Sequence, residues 1–253
     1  MISIHGLSKM HDKTSVLSDI DLTVARGKVF GLAGTNGSGR TTLLEILATL
    51  RKPTAGSVEI DGINAIQSPF EVRSRIGYVP DRHDFHAALT VREFLDFLRT
   101  CRNVKSSADN TALPADGWLH GLKMDAPIGS LSRGLKQQLA WAAALIHAPA
   151  VLLLDEPMND LDPFAAARCA DAIKEMRSRG GTVVMASNRT ADLQVLCDEV
   201  GFLHKGRLLQ VMKVEGLSMN LLEILTSLLA QQEGSDWIAS EAQDEIRAGG
   251  TLT

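Results

Sequence analysis

A glycine-rich segment in the first fifth of the chain constrains the fold more than any other feature. Residues 34–41 read Gly-Thr-Asn-Gly-Ser-Gly-Arg-Thr, and they lie between an apolar run at 29–33 and a helix-like run at 43–50. Closely spaced glycines allow backbone N–H groups to turn inward around an anion, and the following helix directs its positive end at the same point. The segment therefore predicts a strand–loop–helix unit whose loop binds a polyphosphate.

The spacing of this loop is that of the Walker A motif, with Arg40 where lysine is expected. In such a loop the hydroxyl that follows the basic residue, here Thr41, reaches a Mg²⁺ ion. The sequence therefore predicts that the chain binds a nucleoside triphosphate and that Thr41 is also a metal ligand. The predicted nucleotide-binding residues of the loop are Gly34, Thr35, Asn36, Gly37, Ser38, Gly39, Arg40, Thr41 and Thr42.

A second motif delivers two carboxylates at the end of a buried strand. Four aliphatic residues at 151–154 are followed by Asp155 and Glu156, and parallel sheets place their ligands at the carboxyl ends of strands. This is the pattern of a Walker B motif. Asp155 is predicted to hold Mg²⁺ and the nucleotide, and Glu156 is a predicted catalytic residue that orients or deprotonates a water. The motif is a weak signal alone and a strong one together with the upstream loop.

Composition excludes several classes of protein. With 253 residues, 45% of them hydrophobic, the chain can bury one large core, and a formal charge of −4 gives no basic field for nucleic acid. Its three cysteines are widely separated, which fits a reducing cytoplasm rather than disulfides or a metal site. The most apolar window, residues 139–154, is interrupted by His147 and Pro149, and the first residues show no signal peptide. We therefore expect a cytoplasmic chain that reaches a membrane only through a partner.

Short β-rich runs alternate with helical periodicity, which favours an α/β sheet. Predicted strands cover residues 2–5, 20–24, 29–33, 57–60, 76–79, 151–154, 182–186 and 199–203, and predicted helices cover 40–50, 91–99, 132–146, 164–179 and 191–196. One domain is predicted over 1–216, with a helical subdomain inserted at about 82–147 that contains a polar surface loop at 103–116. The tail, 217–253, is predicted to have one amphipathic stretch at 219–230 and a loose end at 248–253.

A third motif, at residues 131–135, reads Leu-Ser-Arg-Gly-Leu and opens a helix about twenty residues before Asp155. Ser132 and Gly134 offer a hydroxyl and an uncovered amide at a helix N-terminus, where anions bind, and an ordinary N-cap is the usual meaning of such a pair in isolation. Because the motif lies after the Walker A motif and before the Walker B motif, anion binding is favoured over an ordinary N-cap. With these motifs the chain, from about residue 2 to 214, resembles the ATP-binding subunit of ABC transporters, whose signature sequence usually reads LSGGQ.

The resemblance implies a fold, cofactors and partners. It implies a P-loop NTPase core with a RecA-like sheet and flanking helices, an N-terminal antiparallel β-subdomain and an inserted helical subdomain. It implies ATP and Mg²⁺ as cofactors, and a homodimer or heterodimer in which each ATP lies between the Walker A loop of one subunit and Ser132 and Gly134 of the other. A polytopic membrane subunit would dock near residues 78–81, the counterpart of the Q-loop, and the helical subdomain. Residues 161–163 resemble the D-loop, and Lys136 with the two glutamines after it looks closest to export-type members. The chain would then sit peripherally on the cytoplasmic membrane face.

Four positions depart from the family pattern, and each would touch nucleotide. Arg40 keeps the charge of the missing lysine on a bulkier planar group. Asp81, a further predicted catalytic residue, replaces the Q-loop glutamine, where it would either ligand Mg²⁺ or repel phosphate. Asn188, the third predicted catalytic residue, stands where the family has its switch histidine and offers one hydrogen bond to the γ-phosphate without a charge. His11 replaces the aromatic residue that stacks on adenine and has less stacking area.

These departures leave two interpretations open: a slow or non-hydrolysing site, and a working site that uses unusual side chains. A heterodimer would reconcile them, since the Ser132 helix of this chain would complete the regular site of its partner while its own loop forms a degenerate site. Three functions remain in competition: a motor subunit of a transporter, most simply an exporter; a regulatory subunit that binds ATP without consuming it; and a soluble ABC ATPase. A metal site at His83 and His86 is disfavoured, because both lie in a loop without further ligands. A leucine-rich stripe is expected to pack back on the domain, with partner binding as the alternative; it comprises Leu221, Leu222, Ile224, Leu225, Leu228 and Leu229.

Overall fold

The computed structural model describes residues 1–104, 115–119, 121–159 and 161–233. Its strands are β1 (Ile2–His11), β2 (Thr14–Val24), β3 (Val29–Gly34), β4 (Ala55–Ile60), β5 (Ile63–Asn64), β6 (Ile76–Val79), β7 (Val151–Asp155), β8 (Thr182–Ala186), β9 (Glu199–His204) and β10 (Arg207–Lys213). Its helices are α1 (Arg40–Leu47), α2 (Pro69–Arg75), α3 (Val91–Cys101), α4 (Ala115–Trp118), α5 (Arg133–Leu145), α6 (Pro163–Ser178), α7 (Thr190–Leu196) and α8 (Leu221–Glu233), with a 3₁₀ turn at Ile128–Ser130.

Two sheets organise these elements. A six-stranded sheet has the order β10-β9-β3-β8-β7-β6, in which only the β9–β10 pair is antiparallel. A separate antiparallel sheet has the order β2-β1-β4-β5. The predicted α/β class, with its antiparallel β-subdomain at the N-terminal side, is confirmed.

The central strands β3, β7 and β8 of the larger sheet are buried on both faces, as parallel sheets require, whereas the antiparallel edge strand β10 has no buried residue. Alternate residues of β7 serve different cores: Leu152 and Leu154 face one core and Leu153 faces the other. The second core also contains buried residues of α1 and of the small sheet, so α1 is sandwiched between the two sheets. The chain folds in this way because its aliphatic runs have no polar face to turn toward water.

Two strands were predicted too short, and two short elements were not predicted at all. The first two strands run to His11 and back from Thr14, because shifts in register along β1 break the simple alternation that marks a strand. The two-residue strand β5 and the helix α2 were not predicted, since both are shorter than a clear periodic signal needs. α2 does begin with Pro69, a residue favoured in the first turn of a helix.

The predicted helical subdomain contains α3, α4 and α5. Thr90 caps α3 in a reciprocal capping box with Glu93, and Trp118 of α4 stacks on Trp141 of α5 with ring centroids 4.7 Å apart. Most of the predicted surface loop at 103–116 lies outside the described residues, although its last two residues belong to α4. The limits of the subdomain and of the domain at residue 216 stay predictions.

Most of the leucine-rich stripe packs back on the domain, as expected, but Leu222 does not and is 43% exposed. Leu221, Leu225 and Leu229 of α8 are buried in the core that also holds residues of α7, and Ile224 and Leu228 pack against it. The predicted loose end at 248–253 lies outside the described residues. None of the helices in the described ranges has both the length and the apolar character needed to cross a bilayer.

Candidate nucleotide-binding site

The topology of the larger sheet brings the predicted motifs to one edge. Strands β3, β8, β7 and β6 are consecutive and parallel, so their carboxyl ends face the same way. The glycine-rich loop follows β3, Asn188 follows β8, Asp155 and Glu156 end β7, and Asp81 follows β6. Four segments separated in sequence therefore meet at the edge where α/β sheets bind ligands.

The loop after β3 is packed on its inner side and open on its outer side. A Cβ atom at Gly34 would lie 2.1 Å from the carbonyl oxygen of Leu203, and one at Gly39 would lie 2.7 Å from Leu17 Cδ2. Gly37, with φ of 75°, would meet nothing within 4 Å. The inner glycines are therefore required by close packing, and the open side at Gly37 is free to receive a ligand.

The polar groups of the loop fit a polyphosphate with a divalent cation. Ser38 Oγ and Asp155 Oδ2 are buried and have no hydrogen-bond partner within the described part of the chain. The N-cap of α1 is Gly39, and no described side chain caps the first turn of that helix. Uncapped N–H groups with a free hydroxyl suit phosphate oxygens, and a buried carboxylate oxygen suits Mg²⁺.

Asp155 is a buried carboxylate of the site. Burial raises its pKa, while a hydrogen bond from the Thr41 side chain acts in the opposite direction. The negative charge of Asp81 also raises the pKa of Asp155, although the Asp81 side chain itself is exposed. Thr41 and Asp155 are thus in direct contact, and Asp81 is near enough for its charge to act on Asp155.

Arg40 crosses the site rather than lying along the loop. Its Nη1 donates to the carbonyl oxygen of Ser187 at 3.0 Å, and its Nη2 donates to Asn188 Oδ1. The same Nη2 lies 3.6 Å from Glu156 Oε1, and both side chains are more than 90% buried. The arginine therefore connects the Walker A loop with the ends of β7 and β8.

Glu156 is held in an unusual backbone conformation. Its φ of 47° lies in the left-handed region, which costs a residue with a side chain about 1 kcal/mol or more. Its N–H donates to the carbonyl oxygen of Ala186 at 2.9 Å, and its Oε2 accepts from the Asn188 N–H at 3.1 Å. Burial raises the pKa of Glu156, and the bond from Asn188 and the charge of Arg40 partly offset this. The carboxylate is thus fixed in direction by two neighbouring strands.

The other predicted residues take no part in these contacts. Ser132 is exposed and caps α5, where its hydroxyl accepts from the Leu135 N–H at 3.3 Å. Gly134 lies in the first turn of the same helix. His11 is exposed at the end of β1, opposite Thr14. Ser132, Gly134 and His11 take no part in the hydrogen bonds by which Arg40 joins the loop to the end of β8.

Sequence reasoning missed the residues that connect α5 to the end of β7. Gln137 Nε2 and Trp141 Nε1 both donate to the carbonyl oxygen of Pro157, at 2.9 and 3.2 Å. A ring nitrogen of His83 contacts Gln137 Oε1, so the histidine that was weighed as a metal ligand serves this network. A polar residue on the buried face of a helix was the available signal for Gln137. No signal pointed to the carbonyl of Ser187, because backbone groups leave no mark in a sequence.

Comparisons with known proteins agree with this geometry. A profile of the ABC transporter family matches residues 17–159. The bacitracin transport ATP-binding protein BcrA of Bacillus licheniformis is 32% identical over 234 residues, which cover 92% of this chain and 76% of that protein. The lantibiotic transport ATP-binding protein SrtF of Streptococcus pyogenes is 30% identical over 228 residues, 90% of this chain and 96% of that protein.

Two solved structures share the fold. The structure of an ATP-binding subunit of an ABC transporter has a TM-score of 0.83 at 24% identity and covers 90% of this chain and 99% of that one. A dimeric structure of a bacterial ABC transporter cassette has a TM-score of 0.76 at 24% identity and covers 86% of this chain and all of that one. This likeness confirms the predicted P-loop NTPase fold.

Proposed function

Because the chain belongs to the ABC transporter family, we propose that it is the ATP-binding subunit of an export system, in which binding and hydrolysis of ATP drive a polytopic membrane partner. The observation that carries the proposal is the meeting of four motif segments at one sheet edge, where Ser38 Oγ and Asp155 Oδ2 are buried without partners in the described residues. Buried polar atoms are costly unless something satisfies them, and a phosphate with its cation would do so.

Each residue of the site has a proposed role. The amides of residues 34–41 and the Ser38 hydroxyl would hold the phosphates, and Thr41 and Asp155 would hold Mg²⁺, with Asp81 as a further ligand. Bound Mg²⁺ supplies neutralising charge to the phosphate oxygens. Glu156 would orient a water, since its carboxylate is fixed by the Asn188 N–H and its raised pKa makes it a better proton acceptor.

A second copy or a related subunit would complete the site. Ser132 and Gly134 lie at an exposed helix N-terminus, which is available to an ATP held by another molecule. One of the solved structures with this fold is dimeric. We propose that the membrane partner docks between residues 78–81 and α3, where Phe97 is 61% exposed. Association with the cytoplasmic membrane face would then depend on that partner.

The transport role is favoured over a soluble one by the relatives, two of which are named for the transport of bacitracin and of a lantibiotic. Purification from membranes under mild detergent tests this choice. A polytopic protein that co-purifies with the chain is the expected result. Recovery of the chain only with soluble proteins would contradict the proposal.

A regulatory subunit that binds ATP without hydrolysing it is the second candidate. Arg40 lies 3.6 Å from Glu156 Oε1, and a guanidinium beside this carboxylate would weaken it as a base. Steady-state turnover of the purified chain, alone and with its membrane partner, discriminates the two functions.

For the motor function, Glu156→Gln should lower turnover by about 100-fold or more while Mg-ATP binding persists, because a general base is lost. Glu45→Gln is the matched control, since Glu45 lies on α1 and pairs with Arg51. Absence of turnover in every preparation, with Mg-ATP binding intact, would instead establish the regulatory function.

A further inference from the structure

Two departures from the family pattern meet in the structure. Arg40 and Asn188 are 148 positions apart in the chain, yet the guanidinium of Arg40 donates to Asn188 Oδ1. Arg40 also donates to the carbonyl oxygen of Ser187 at 3.0 Å. Asn188 in turn donates its backbone N–H to Glu156 Oε2 at 3.1 Å. Arg40, Asn188 and Glu156 therefore form a closed set of contacts at the ends of β7 and β8.

The chemistry of these contacts makes each substitution depend on the other. A guanidinium has only donors, so its partner at position 188 must offer an acceptor, as the amide oxygen of Asn188 does. A histidine there would become a cation when protonated and would then be repelled by Arg40. A lysine at position 40 would present one compact ammonium group, which lacks the planar fork that spans the Ser187 carbonyl and the Asn188 amide.

The distribution of charge shows what the pair supplies. Asp155 and Glu156 are both buried, and Arg40 is the only lysine or arginine among the described residues that are buried. Its charge is placed beside β8, where the family has a histidine, although the side chain starts from the Walker A loop, where the family has a lysine. One side chain thus reaches both positions.

We propose that Arg40 and Asn188 act as one unit, in which Asn188 is a positioning residue that holds the Arg40 guanidinium at the end of β8. Arg40 then supplies by itself the positive charge that the family's lysine and histidine supply separately to the terminal phosphate. This inference rests on the proposed nucleotide site and states how two residues of this chain would serve it.

A double-mutant cycle tests the unit. Arg40→Lys, Asn188→His and the double variant are compared with the wild-type chain by calorimetric titration with Mg-ATP and with Mg-ADP, and by thermal unfolding without nucleotide. Each single change should reduce the preference for ATP over ADP by about tenfold, and the double variant should return to within about threefold of wild type, because the residues are coupled. Arg51→Lys combined with Asn188→His is the matched control. Arg51 pairs with Glu45 outside this set of contacts, so its lysine variant should give no recovery.

The unfolding measurement keeps folding defects separate from the role of the pair. Equal melting temperatures of the single and double variants, with recovery of the ATP preference only in the double variant, would support positioning of the guanidinium rather than general stability. Additive effects on the ATP preference would overturn the unit. A wild-type chain that folds but binds neither nucleotide would instead contradict the proposed function, so the two failures are distinguishable.

Discussion

The molecule has two helix N-termini that the sequence predicts to meet nucleotide, and they are built in opposite ways. The N-cap residue of α1 is Gly39, no described side chain caps this helix, and its first residue, Arg40, is buried. The N-cap residue of α5 is Ser132, which is exposed and caps the helix with its own hydroxyl. The first helix leaves its N–H groups for a ligand, whereas the second satisfies one by itself and can stand in water.

This difference teaches how a shared site can be divided between molecules. A binding element that is complete only with its ligand has to be enclosed by its own domain, as the loop before α1 is. An element that is stable without the ligand can be displayed on the surface for another molecule. The following predictions test this contrast, from the largest expected effect to the smallest.

The enclosed loop should tolerate a methyl group at its outer glycine much better than at its inner one. Gly34→Ala places a Cβ 2.1 Å from the Leu203 carbonyl oxygen, and such overpacking should lower the free energy of unfolding by about 3 kcal/mol. Gly37→Ala has open space and should cost about 1 kcal/mol, because of its positive φ. Urea unfolding without nucleotide measures both. Equal losses would show that the loop is not enclosed on one side.

His147, just after the C-terminal end of α5, should contribute less to the free energy of unfolding in acid. Burial, with a smaller contribution from Arg102, lowers the pKa of His147 from 6.5 to about 4, and a ring nitrogen contacts the Ile76 carbonyl oxygen at 3.0 Å. Because the unfolded chain binds the proton more tightly, the free energy of unfolding should fall between about pH 6.5 and 4, by about 2 kcal/mol after allowance for partial exposure.

Urea unfolding across this pH range, repeated with His147→Gln, isolates the effect of the imidazole. The variant should lose most of the slope, whereas the exposed His86→Gln control should keep it. The raised pKa values of Asp155 and Glu156 act in the opposite direction, because those carboxyls take up protons more readily in the folded chain. An unchanged slope in His147→Gln would contradict the assignment.

Two adjacent glutamines should differ in their effect on the link between α5 and the end of β7. Gln137→Leu removes the bond to the Pro157 carbonyl and leaves His83 without this acceptor, so it should cost about 1.5 kcal/mol. Gln138 is also buried, and its Oε1 has no partner among the described residues, so Gln138→Leu should be neutral or stabilising. Thermal unfolding of both variants gives the comparison, and a larger loss in Gln138→Leu would contradict the network.

The exposed cap of α5 should have the smallest effect on the isolated chain. Ser132→Ala should cost about 1 kcal/mol of stability, as the loss of a cap does. In the Glu156→Gln background, Ser132→Ala should also weaken ATP-dependent dimerisation, which light scattering measures. Ser130→Ala is the control, since that hydroxyl donates to the Pro127 carbonyl outside the helix. Weaker Mg-ATP binding by monomeric Ser132→Ala would break the contrast between the two helices.

The parts of the fold that were predictable are those whose cause is local. The loop after β3 was recognised because its closely spaced glycines lie between a strand-like and a helix-like run, and Asp155 because an aliphatic strand ends in carboxylates. α2 and β5 were missed because seven and two residues carry too little periodicity.

The contacts within the site were not predictable for a different reason. Arg40 was foreseen as a bulky replacement for lysine, but its reach to Asn188 depends on which strands are neighbours, and that order follows from packing of the whole sheet. The two departures looked independent in the sequence, and the fold places them in contact. The roles assigned to Asp81 and His11 stay predictions.

A backbone hydrogen bond to the loop residue Ser38 provides a way to detect nucleotide binding at the loop. The Gly206 N–H, in the turn between β9 and β10, donates to the Ser38 carbonyl oxygen at 2.9 Å, and a Cβ at Gly206 would lie 2.4 Å from the Val16 carbonyl oxygen. A change in the position of Ser38 should therefore change the protection of the Gly206 amide against exchange. Its deuterium uptake should slow when nucleotide occupies the loop, so exchange at the hairpin of β9 and β10 would report binding at a distance from the site.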